Sequence, residues 1–441
     1  MTPKLLLLLA LAGAPPQVGN LTAEERALMA FVDADNDRAL ALLERVVNIN
    51  SGTMNLPGVR EVGAAFRAEF DALGFKTEWV DGAPFERAGH LVADHPGPGP
   101  RLLLIGHLDT VFEPDSPFQK FECKSATSAR GPGTTDMKGG DVVMLQALRA
   151  LHSVGTLKFM NIVVVMTGDE EAAGRPLSAS RAALVKAAQG AGVAIGFEDG
   201  DGDPSTAVIG RRGTTNWELR VKGKPAHSSQ IFNAENGYGA VFEAARILNS
   251  FRETLAGQLH LTFNPGVVVG GTSVDYDGPA SRGVGFGKSN VIAEHTVVTG
   301  DLRALSPEQF AEAKKSMRDI VAASLPRTSA TLTFDDGYPA LAPTPANERL
   351  LALYSRASAD VGAGPVAAVD PDRAGAADVS FIADPTRMIL DGVGLMGTGG
   401  HTVHETADLR TLPSMAKRIA VLLGRLHRDG TKQLPLPVPT K

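Results

Sequence analysis

The amino-acid sequence predicts an α/β fold: a larger domain with a mostly parallel sheet flanked by helices, and a smaller α+β domain inserted into it. Three observations indicate this architecture. Short apolar segments bounded by turn residues alternate with amphipathic helical segments in the first half of the chain. Near residue 213 the pattern changes to strands of alternating polarity. After a proline-rich segment at 339–345, the α/β pattern resumes.

Composition and charge exclude several classes of protein. The chain has 441 residues, 43% of them hydrophobic and 21% charged, which is ordinary for soluble globular domains. Its 43 basic and 49 acidic side chains give a formal net charge of −6, so no basic excess indicates a nucleic-acid or anionic-membrane partner. The single cysteine, Cys123, excludes an intrachain disulfide and any Cys-rich zinc or iron–sulfur site. A bound metal would therefore need histidine and carboxylate ligands.

The first residues have the pattern of a short signal peptide. Lys4 precedes the apolar run 5–14, and the segment 10–12 offers a cleavage site with small residues. An apolar run of this length is too short to span a bilayer. We interpret residues 1–14 as a signal peptide and expect a periplasmic or secreted protein, whereas an uncleaved N-terminus would indicate the cytoplasm.

The larger domain is predicted to occupy residues 21–212 and 342–430. The spacing of apolar residues indicates helices between residues 21 and 70 and from Asp141 to Leu151. Short, continuously apolar segments are typical of strands buried in a parallel sheet. Three such strands are predicted at 102–105, 162–166 and 193–197.

The inserted domain is predicted at residues 213–341, with the element order βαββαβ of a split βαβ sandwich. The segment 217–221 alternates apolar and polar residues, as in a half-exposed antiparallel strand. The remaining elements are a helix over 241–251, strands over 259–269 and 290–302, a helix that begins after Ser306, and a strand over 330–334.

Histidines and carboxylates that could hold a metal follow the predicted strands. Ligands bind at that edge of an open α/β sheet, so we expect these side chains to lie close together. Each also has another interpretation: Asp136 could cap the next helix, the acids of 168–171 could form an exposed turn, and a glycine-flanked histidine is more often structural. A mixed N/O ligand set suits zinc, with cobalt or manganese as substitutes. The candidate ligands are His107, Asp136, Glu171, Glu198 and either His401 or its competitor His404.

Five motifs, in this order, resemble a known family: GHLDTV, GPGTTDMKGG, GDEE, FE and GGHTVHE. The set is similar to that of the co-catalytic di-zinc peptidases, which include bacterial glutamate carboxypeptidase, acetylornithine deacetylase, succinyl-diaminopimelate desuccinylase and aminoacylase. The resemblance covers nearly all of the chain after the signal segment, including the inserted domain.

The resemblance implies two zinc ions per chain and a role for each motif residue. His107 and Glu198 would hold one zinc, Glu171 and His401 would hold the other, and Asp136 would bridge both. Asp109 would orient His107, and Glu170 would be the general base for a metal-bound hydroxide that attacks an amide carbonyl. His401 is preferred over His404 because the family's histidine is followed four or five residues later by Glu, here Glu405.

The resemblance also extends to the inserted domain, which would act as a lid and dimerisation domain. His227 in GKPAHS matches a lid histidine that crosses into the partner's site in dimeric relatives and binds the developing oxyanion. Because a histidine that acts in the partner's site requires a second chain, a homodimer is expected. Asn290 and Arg303 match lid positions that contact the substrate's carboxylate end. Without the family, His227 would be an exposed turn histidine and Arg303 an ordinary surface residue.

Three departures from the family pattern concern the substrate side of the site. The usual Gly-Gly-Ser/Thr-Asp segment is replaced by residues 373–378, where Arg373 is only a candidate contact. The segment 274–287 is longer than expected and could reshape the lid, and His404 adds an ionisable group.

The resemblance implies a carboxypeptidase that releases a C-terminal amino acid from a small peptide or an N-acyl amino acid. Glu at position 198 favours the carboxypeptidase and deacylase branch over aminopeptidases. An N-acyl-amino-acid deacylase is the alternative enzyme, and a non-catalytic peptide-binding dimer is the alternative from another class. No nucleic-acid partner and no membrane span are expected.

Overall fold

The computed structural model describes residues 21–278, 280–384 and 387–429. The predicted signal peptide at 1–14 lies outside the described residues. Within them, no helix combines the length and the apolar character needed to cross a lipid bilayer.

Helices and strands alternate along the described chain, and this order confirms the predicted α/β class. The helices are α1 (Ala23–Val47), α2 (Leu56–Ala72), α3 (Lys138–Ser153), α4 (Leu177–Ser180), α5 (Ala182–Ala187), α6 (Gly239–Leu255), α7 (Pro307–Ala322), α8 (Pro345–Asp360) and α9 (Thr411–Asp429). The strands are β1 (Lys76–Asp81), β2 (Gly89–His95), β3 (Arg101–His107), β4 (Glu122–Ser125), β5 (Ser128–Arg130), β6 (Asn161–Thr167), β7 (Val193–Gly196), β8 (Thr206–Ala207), β9 (Gly213–Gly223), β10 (Thr262–Gly271), β11 (Ser273–Asp277), β12 (Arg282–Phe286), β13 (His295–Ala304), β14 (Thr328–Asp336), β15 (Ala367–Ala368), β16 (Met388–Leu390), β17 (Gly397–Thr398) and β18 (Thr406–Asp408).

A six-stranded sheet in the order β1-β2-β6-β3-β7-β16 forms the centre of the larger unit. Strands β6, β3, β7 and β16 pair in parallel, whereas β1 and β2 are joined to them by antiparallel pairing. The three predicted buried strands are β3, β6 and β7. Because parallel strands end at the same edge of a sheet, the residues that follow these strands meet there.

Helices cover both faces of this sheet. Leu102 and Leu104 of β3 pack with α1, α3, α8 and α9, whereas Leu103 and Ile105 pack with α5 and the turn Asp378–Ile382. Successive side chains of a strand point to opposite faces, and here both faces are buried. This arrangement explains why the segment is continuously apolar rather than alternating.

The second sheet is antiparallel, in the order β10-β13-β9-β14, with α6 and α7 packed on one face. The chain enters this sheet at Gly213 and leaves it at Asp336, and we call residues 213–336 the inserted unit. Trp217 is buried in its core, edge-on to Phe251 of α6. Apart from one added hairpin, the element order matches the predicted βαββαβ pattern.

The added hairpin consists of β11 and β12 and covers the sheet face opposite the helices. Val298 packs in the helix-side core, so the adjacent Val297 points to the other face, where the hairpin leaves it only 5% exposed. The hydroxyl of Tyr276 in β11 lies 3.0 Å from Thr299 Oγ1 in β13. The hairpin occupies the segment 274–287 that the sequence marked as long.

Candidate metal centre

Five side chains form two groups of potential metal ligands that share one carboxylate. Asp136 Oδ1 lies 3.1 Å from His107 Nε2, and Asp136 Oδ2 lies 2.8 Å from His401 Nε2. Glu198 Oε1 is 3.6 Å from His107 Nε2, and Glu171 Oε2 is 3.2 Å from His401 Nε2. The structure thus brings together the five residues that the motifs single out, with Asp136 between the two histidines.

Parallel strands supply three of these residues. His107 is the last residue of β3, Glu171 follows β6, and Glu198 follows β7. The three strands are neighbours in the order β6-β3-β7, so their carboxyl ends lie side by side. The clustering therefore follows from the sheet topology, as the sequence predicted.

Asp136 reaches the same edge from the loop that precedes α3. A Cβ on Gly140, in the first turn of α3, would lie 1.8 Å from the carbonyl oxygen of Phe197, so only glycine lets the helix approach the end of β7 this closely. Helix α3 has Met137 at its N-cap position and no side-chain cap. Asp136 does not cap the helix, which removes the alternative interpretation of this residue.

His401 lies in the left-handed backbone region, with a φ angle of 60° that non-glycine residues rarely adopt. Such strain tends to occur at functional sites. Its side chain is 60% exposed, so this part of the centre is open to solvent. His404 is also exposed, but among the described residues it belongs to neither ligand group. Of the two competing histidines, His401 is the one at the centre.

Glu405 is buried beneath the loop that carries Asp136. Its Oε1 accepts hydrogen bonds from the N–H groups of Thr135 at 2.8 Å and Asp136 at 3.3 Å, and its Oε2 accepts from Gly133 N–H at 3.1 Å. Burial raises the pKa of Glu405 to about 7, although these donors oppose the shift. The segment that carries His401 is thereby tied to the loop that carries Asp136.

Asp109 is fully buried and contacts both the first histidine and the acidic segment after β6. Its Oδ1 lies 3.4 Å from His107 Nδ1, and its main-chain oxygen lies 3.1 Å from the same nitrogen. The carboxylate also accepts hydrogen bonds from the N–H groups of Glu170 at 3.0 Å and Glu171 at 3.1 Å, and from Thr53 Oγ1 at 2.6 Å. The position of Asp109 suits a role in orienting the His107 ring. The same carboxylate also holds the backbone of Glu170 and Glu171.

Asp391 supports Glu198 in a similar way, although the sequence analysis missed it. It is buried, and its Oδ1 accepts a hydrogen bond from Glu198 N–H at 3.3 Å. Its Oδ2 accepts a 2.9 Å hydrogen bond from the buried guanidinium of Arg211. The candidate ligands were found because they follow predicted buried strands. Asp391 gives the same signal, since it directly follows the apolar strand β16.

The charges around the ligand atoms favour a cation. Burial, followed by the Asp136 carboxylate, raises the pKa of Glu171 above its usual value. Hydrogen bonds to Asp136 and Glu171 raise the pKa of His401 to about 11. At His107, burial opposes the charged form, but Glu198 and the other nearby carboxylates outweigh it and raise the pKa well above its usual value.

One buried oxygen of the cluster is also unpaired. Glu171 Oε1 has no hydrogen-bond partner among the described residues, and such an atom is costly to bury. The donor set of two imidazoles and three carboxylates, with this oxygen, fits divalent cations, and Asp136 belongs to both ligand groups.

Glu170 lies next to these ligands in the chain but belongs to neither group. Burial raises its pKa well above the usual value, and the carboxylates of Asp378 and Glu171 raise it further. Its carboxyl group therefore lies close enough to feel the charges of the cluster, although Glu170 is in neither ligand group among the described residues.

The remaining predicted residues lie on the inserted unit. His227 is exposed, and its Nδ1 lies 2.8 Å from Ser229 Oγ; the N–H of Ser228 donates a 2.9 Å hydrogen bond to the carbonyl of Asn290. Arg303, in β13, donates to Asp301 Oδ2 at 3.0 Å. Among the described residues, no hydrogen bond or ion pair joins His227, Asn290 or Arg303 to a candidate ligand.

Outside the inserted unit, Arg373 forms an ion pair with Asp201 at 3.1 Å, and its side chain is 65% exposed. Among the described residues, Arg373 is not paired with any member of the two ligand groups.

The fold and the ligand cluster together define a class of protein: an α/β body with an inserted α+β unit and a cluster of potential metal ligands at the edge of the main sheet. The model of peptidase family M20/M25/M40 matches residues 103–425 of this chain. The chain belongs to this family of metallopeptidases.

Two relatives and one solved structure illustrate the similarity. Carboxypeptidase G2 from Pseudomonas sp. (strain RS-16) is 25% identical over 422 residues, covering 92% of this chain and 94% of the relative. Succinyl-diaminopimelate desuccinylase from Acidiphilium cryptum (strain JF-5) is 27% identical over 372 residues, covering 81% of this chain and 91% of the relative. Aminopeptidase PepT from Bacillus cereus shares the fold with a TM-score of 0.69 at 19% identity, over 89% of this chain and 98% of PepT.

The contacts of Glu405 lead to a prediction for the variant Glu405→Gln. A glutamine offers one acceptor oxygen instead of two, so it cannot hold Gly133, Thr135 and Asp136 together, and the loop that positions Asp136 loosens. Loss of a supporting contact of this kind lowers metal affinity by about 10–100-fold. Competition with a chromophoric chelator measures the zinc dissociation constant.

Asp408→Asn is the matched control, because Asp408 follows in the same segment and pairs at 2.7 Å with Arg410 instead of with the loop. This control should bind zinc like the wild type. Unchanged zinc affinity in the Glu405→Gln variant would argue against the anchoring role.

Proposed function

We propose that this protein is a glutamate-carboxypeptidase-like metallopeptidase that hydrolyses an amide bond and releases a C-terminal amino acid. Its substrate is a small peptide or an N-acyl amino acid. The observation that carries the proposal is the pair of ligand groups joined by Asp136, with Glu170 beside both and part of neither. The similarity to Carboxypeptidase G2 along most of both chains supports the carboxypeptidase type.

Two zinc ions per chain are part of this proposal. His107, Asp136 and Glu198 would hold one ion, and Asp136, Glu171 and His401 the other. When bound, a metal pair polarises the scissile carbonyl and lowers the pKa of a water molecule. Cobalt or manganese are possible substitutes because imidazole and carboxylate ligands suit them as well.

Glu170 is the proposed general base. Its carboxylate takes a proton from the attacking water and passes it to the nitrogen of the leaving amine. Asp109 holds the N–H of Glu170 and lies beside His107, so one buried carboxylate fixes the base relative to a metal ligand. This fixed geometry is what proton transfer to a reacting group requires.

An N-acyl-amino-acid deacylase is the second candidate. The bond broken is the same, and the similarity to succinyl-diaminopimelate desuccinylase covers 91% of that relative. The two candidates differ in the group on the acyl side of the bond. A non-catalytic peptide-binding dimer has less support, because it would not need both complete ligand groups or an acid in the position of Glu170.

A hydrolysis panel with controlled metal content tests the proposal. Protein stripped with a chelator should be inactive, and adding zinc should restore the release of a free amino acid, because the proposed activation of water and of the scissile carbonyl needs the metal. Dipeptides should be compared with N-acetyl and N-succinyl derivatives of the same C-terminal residues. Faster hydrolysis of the dipeptides indicates a carboxypeptidase, and faster hydrolysis of the acyl derivatives indicates a deacylase.

The same panel can contradict the enzyme proposal. If no substrate releases an amino acid although zinc is bound, the reaction class is wrong. If zinc does not bind at all, the peptide-binding alternative gains support.

The variant Glu170→Gln separates proton transfer from metal binding. It should bind as much metal as the wild type, since Glu170 is in neither ligand group, but kcat should fall by about 10²–10⁴-fold because the amide cannot accept the proton. Elemental analysis and steady-state kinetics measure the two quantities. Glu61→Gln, an exposed position on α2, is the control and should change neither. A Glu170→Gln enzyme with wild-type kcat would refute the assignment of the base.

A homodimer that pairs through the inserted unit is also proposed. Strand β10 lies at an edge of the second sheet, and Val268 on it is 57% exposed. Val241 and Phe242 on α6 are 49% and 51% exposed. An unpaired strand edge beside exposed apolar side chains is typical of a protein–protein interface. Such a pairing would let the exposed His227 act in the partner's site.

Complementation between two inactive variants tests this arrangement. His227→Ala should lower kcat without changing metal content, and Glu170→Gln should be inactive as well. When the two chains are co-expressed, a mixed dimer has one site with both an intact Glu170 and an intact His227 from the partner. With random pairing, activity should recover to about a quarter of the wild-type value.

The control is His295→Ala, a histidine of the same unit that pairs at 3.5 Å with Glu294 and should keep its kcat. Mixed dimers that form, as shown by affinity tags on each chain, but remain inactive would contradict action in the partner's site. A monomer in light scattering would contradict the dimer itself.

A further inference from the structure

Tyr338 lies in the segment that leads from the inserted unit back to the larger unit. Its hydroxyl donates a 2.8 Å hydrogen bond to the main-chain carbonyl oxygen of Glu170. The same hydroxyl accepts a 2.5 Å hydrogen bond from Nη2 of Arg181. The contact with Glu170 joins residues 168 positions apart, and Tyr338 is not part of any family motif.

Arg181 gives this tyrosine a fixed support. The guanidinium is almost fully buried and donates to Asp169 Oδ1 at 2.6 Å and to Asp378 Oδ1 at 2.7 Å. A buried charge held by two carboxylates cannot shift without leaving one of them unpaired. The ring of Tyr338 packs edge-on against Phe381, with centroids 4.8 Å apart, which restricts the ring as well as its hydroxyl.

The hydroxyl of Tyr338 stays protonated, so it can act as the donor in the hydrogen bond to Glu170. Burial raises the pKa of Tyr338 well above its usual value, and the negative charges of Glu170 and Asp378 add to the shift. The phenol is therefore neutral throughout the pH range in which peptidases are assayed.

Both polar groups of the Glu170 backbone are consequently held. The N–H donates to Asp109 Oδ1 at 3.0 Å, and the C=O accepts from Tyr338. Together the two bonds fix the peptide planes on either side of the Glu170 Cα, and with them the direction in which the carboxyl side chain leaves the chain. A displacement of about 1 Å in a reacting group can lower a rate by roughly 10²-fold.

Tyr338 is also tied to the inserted unit. The N–H of Thr214, in β9, donates a 2.9 Å hydrogen bond to the carbonyl of Tyr338, and the N–H of Gly337 donates a 3.0 Å hydrogen bond to the carbonyl of Thr214. The outgoing and returning connections between the two units therefore run side by side at Tyr338. A rotation of the inserted unit relative to the larger unit would move this tyrosine.

We propose that Tyr338 is a positioning residue that couples the orientation of the inserted unit to the placement of Glu170. The inference rests on the proposed role of Glu170 as general base. In the orientation seen here, the hydroxyl bridges Arg181 and Glu170 and fixes the position of Glu170 beside the ligand cluster. In another orientation the bridge is broken, and the base loses the support on its carbonyl side.

The variant Tyr338→Phe removes the hydroxyl and keeps the ring against Phe381. We expect kcat to fall by about tenfold because Glu170 is less well placed. KM and bound zinc should match the wild type. Tyr276→Phe is the matched control: it removes a hydroxyl within the inserted unit that contacts Thr299 and not Glu170, and it should leave kcat unchanged.

A double-mutant cycle with Glu170→Asp shows whether Tyr338 acts through the base. The shorter aspartate keeps a carboxyl group but already displaces it, so the backbone support should matter less, and Tyr338→Phe should lower kcat by less than about twofold in this background. An unchanged tenfold loss in this background overturns the inference. A Tyr338→Phe enzyme with normal kcat also overturns the inference. The same holds if the variant loses activity because it loses zinc, or if only its KM changes.

The Glu170→Gln variant keeps this test separate from that of the proposed function. If Glu170→Gln retains wild-type activity, the base assignment fails and the inference fails with it. If Glu170→Gln is inactive and the cycle is additive, only the role of Tyr338 is wrong.

Discussion

The carboxylate of Asp136, placed between His107 and His401, is the interaction on which the rest of the site depends. It joins two ligand groups whose other carboxylates, Glu198 and Glu171, lie close to it. Desolvation first, and then the negative charge of Asp136, raises the pKa of both above its usual value. A cluster of this kind is stable with divalent cations and strained without them. The surrounding structure must therefore hold acidic side chains together against their repulsion, and it must keep Glu170, the proposed base, apart from the ligand groups.

Buried acids from distant parts of the chain meet the first of these requirements. Glu405 holds the loop of Asp136, Asp391 holds the backbone of Glu198 with the help of Arg211, and Asp109 holds the backbone of Glu171. Each acts on main-chain N–H groups, so it fixes a loop without competing for the ligand oxygens. Buried ion pairs such as that of Asp391 and Arg211 add little net stability compared with apolar packing. Their value here lies in the geometry that they impose on the ligands.

The sequence predicted the sheet and the clustering of the candidate ligands because both depend on local signals. Continuous apolar runs mark β3, β6 and β7, and the acids and histidine that follow them must meet at one edge. The supporting contacts depend instead on tertiary pairing: Glu405 and Asp136 are 269 positions apart, and no local pattern indicates that they touch. The added hairpin was visible only as a long Gly- and Asp-rich segment, since its packing on the sheet requires the register of β10 and β13. For His227, the sequence predicts the position on the inserted unit, but the proposed action in a partner's site concerns contacts that a single chain does not contain.

The contacts of the two neighbouring acids, Glu170 and Glu171, show how metal binding and proton transfer can be controlled separately. The backbone N–H groups of both are held by Asp109, which lies within the larger unit, so this side of the site does not depend on the inserted unit. Only the carbonyl of Glu170 is held by a residue at the junction of the two units, Tyr338. A change in the orientation of the inserted unit would therefore reach the carbonyl of Glu170 without acting on the hydrogen bonds from Asp109 to the two acids. Under the proposed mechanism, this arrangement would leave the support of the Glu171 backbone in place while substrate enters, and it would complete the proton-transfer geometry only in the orientation that holds Tyr338 against Glu170.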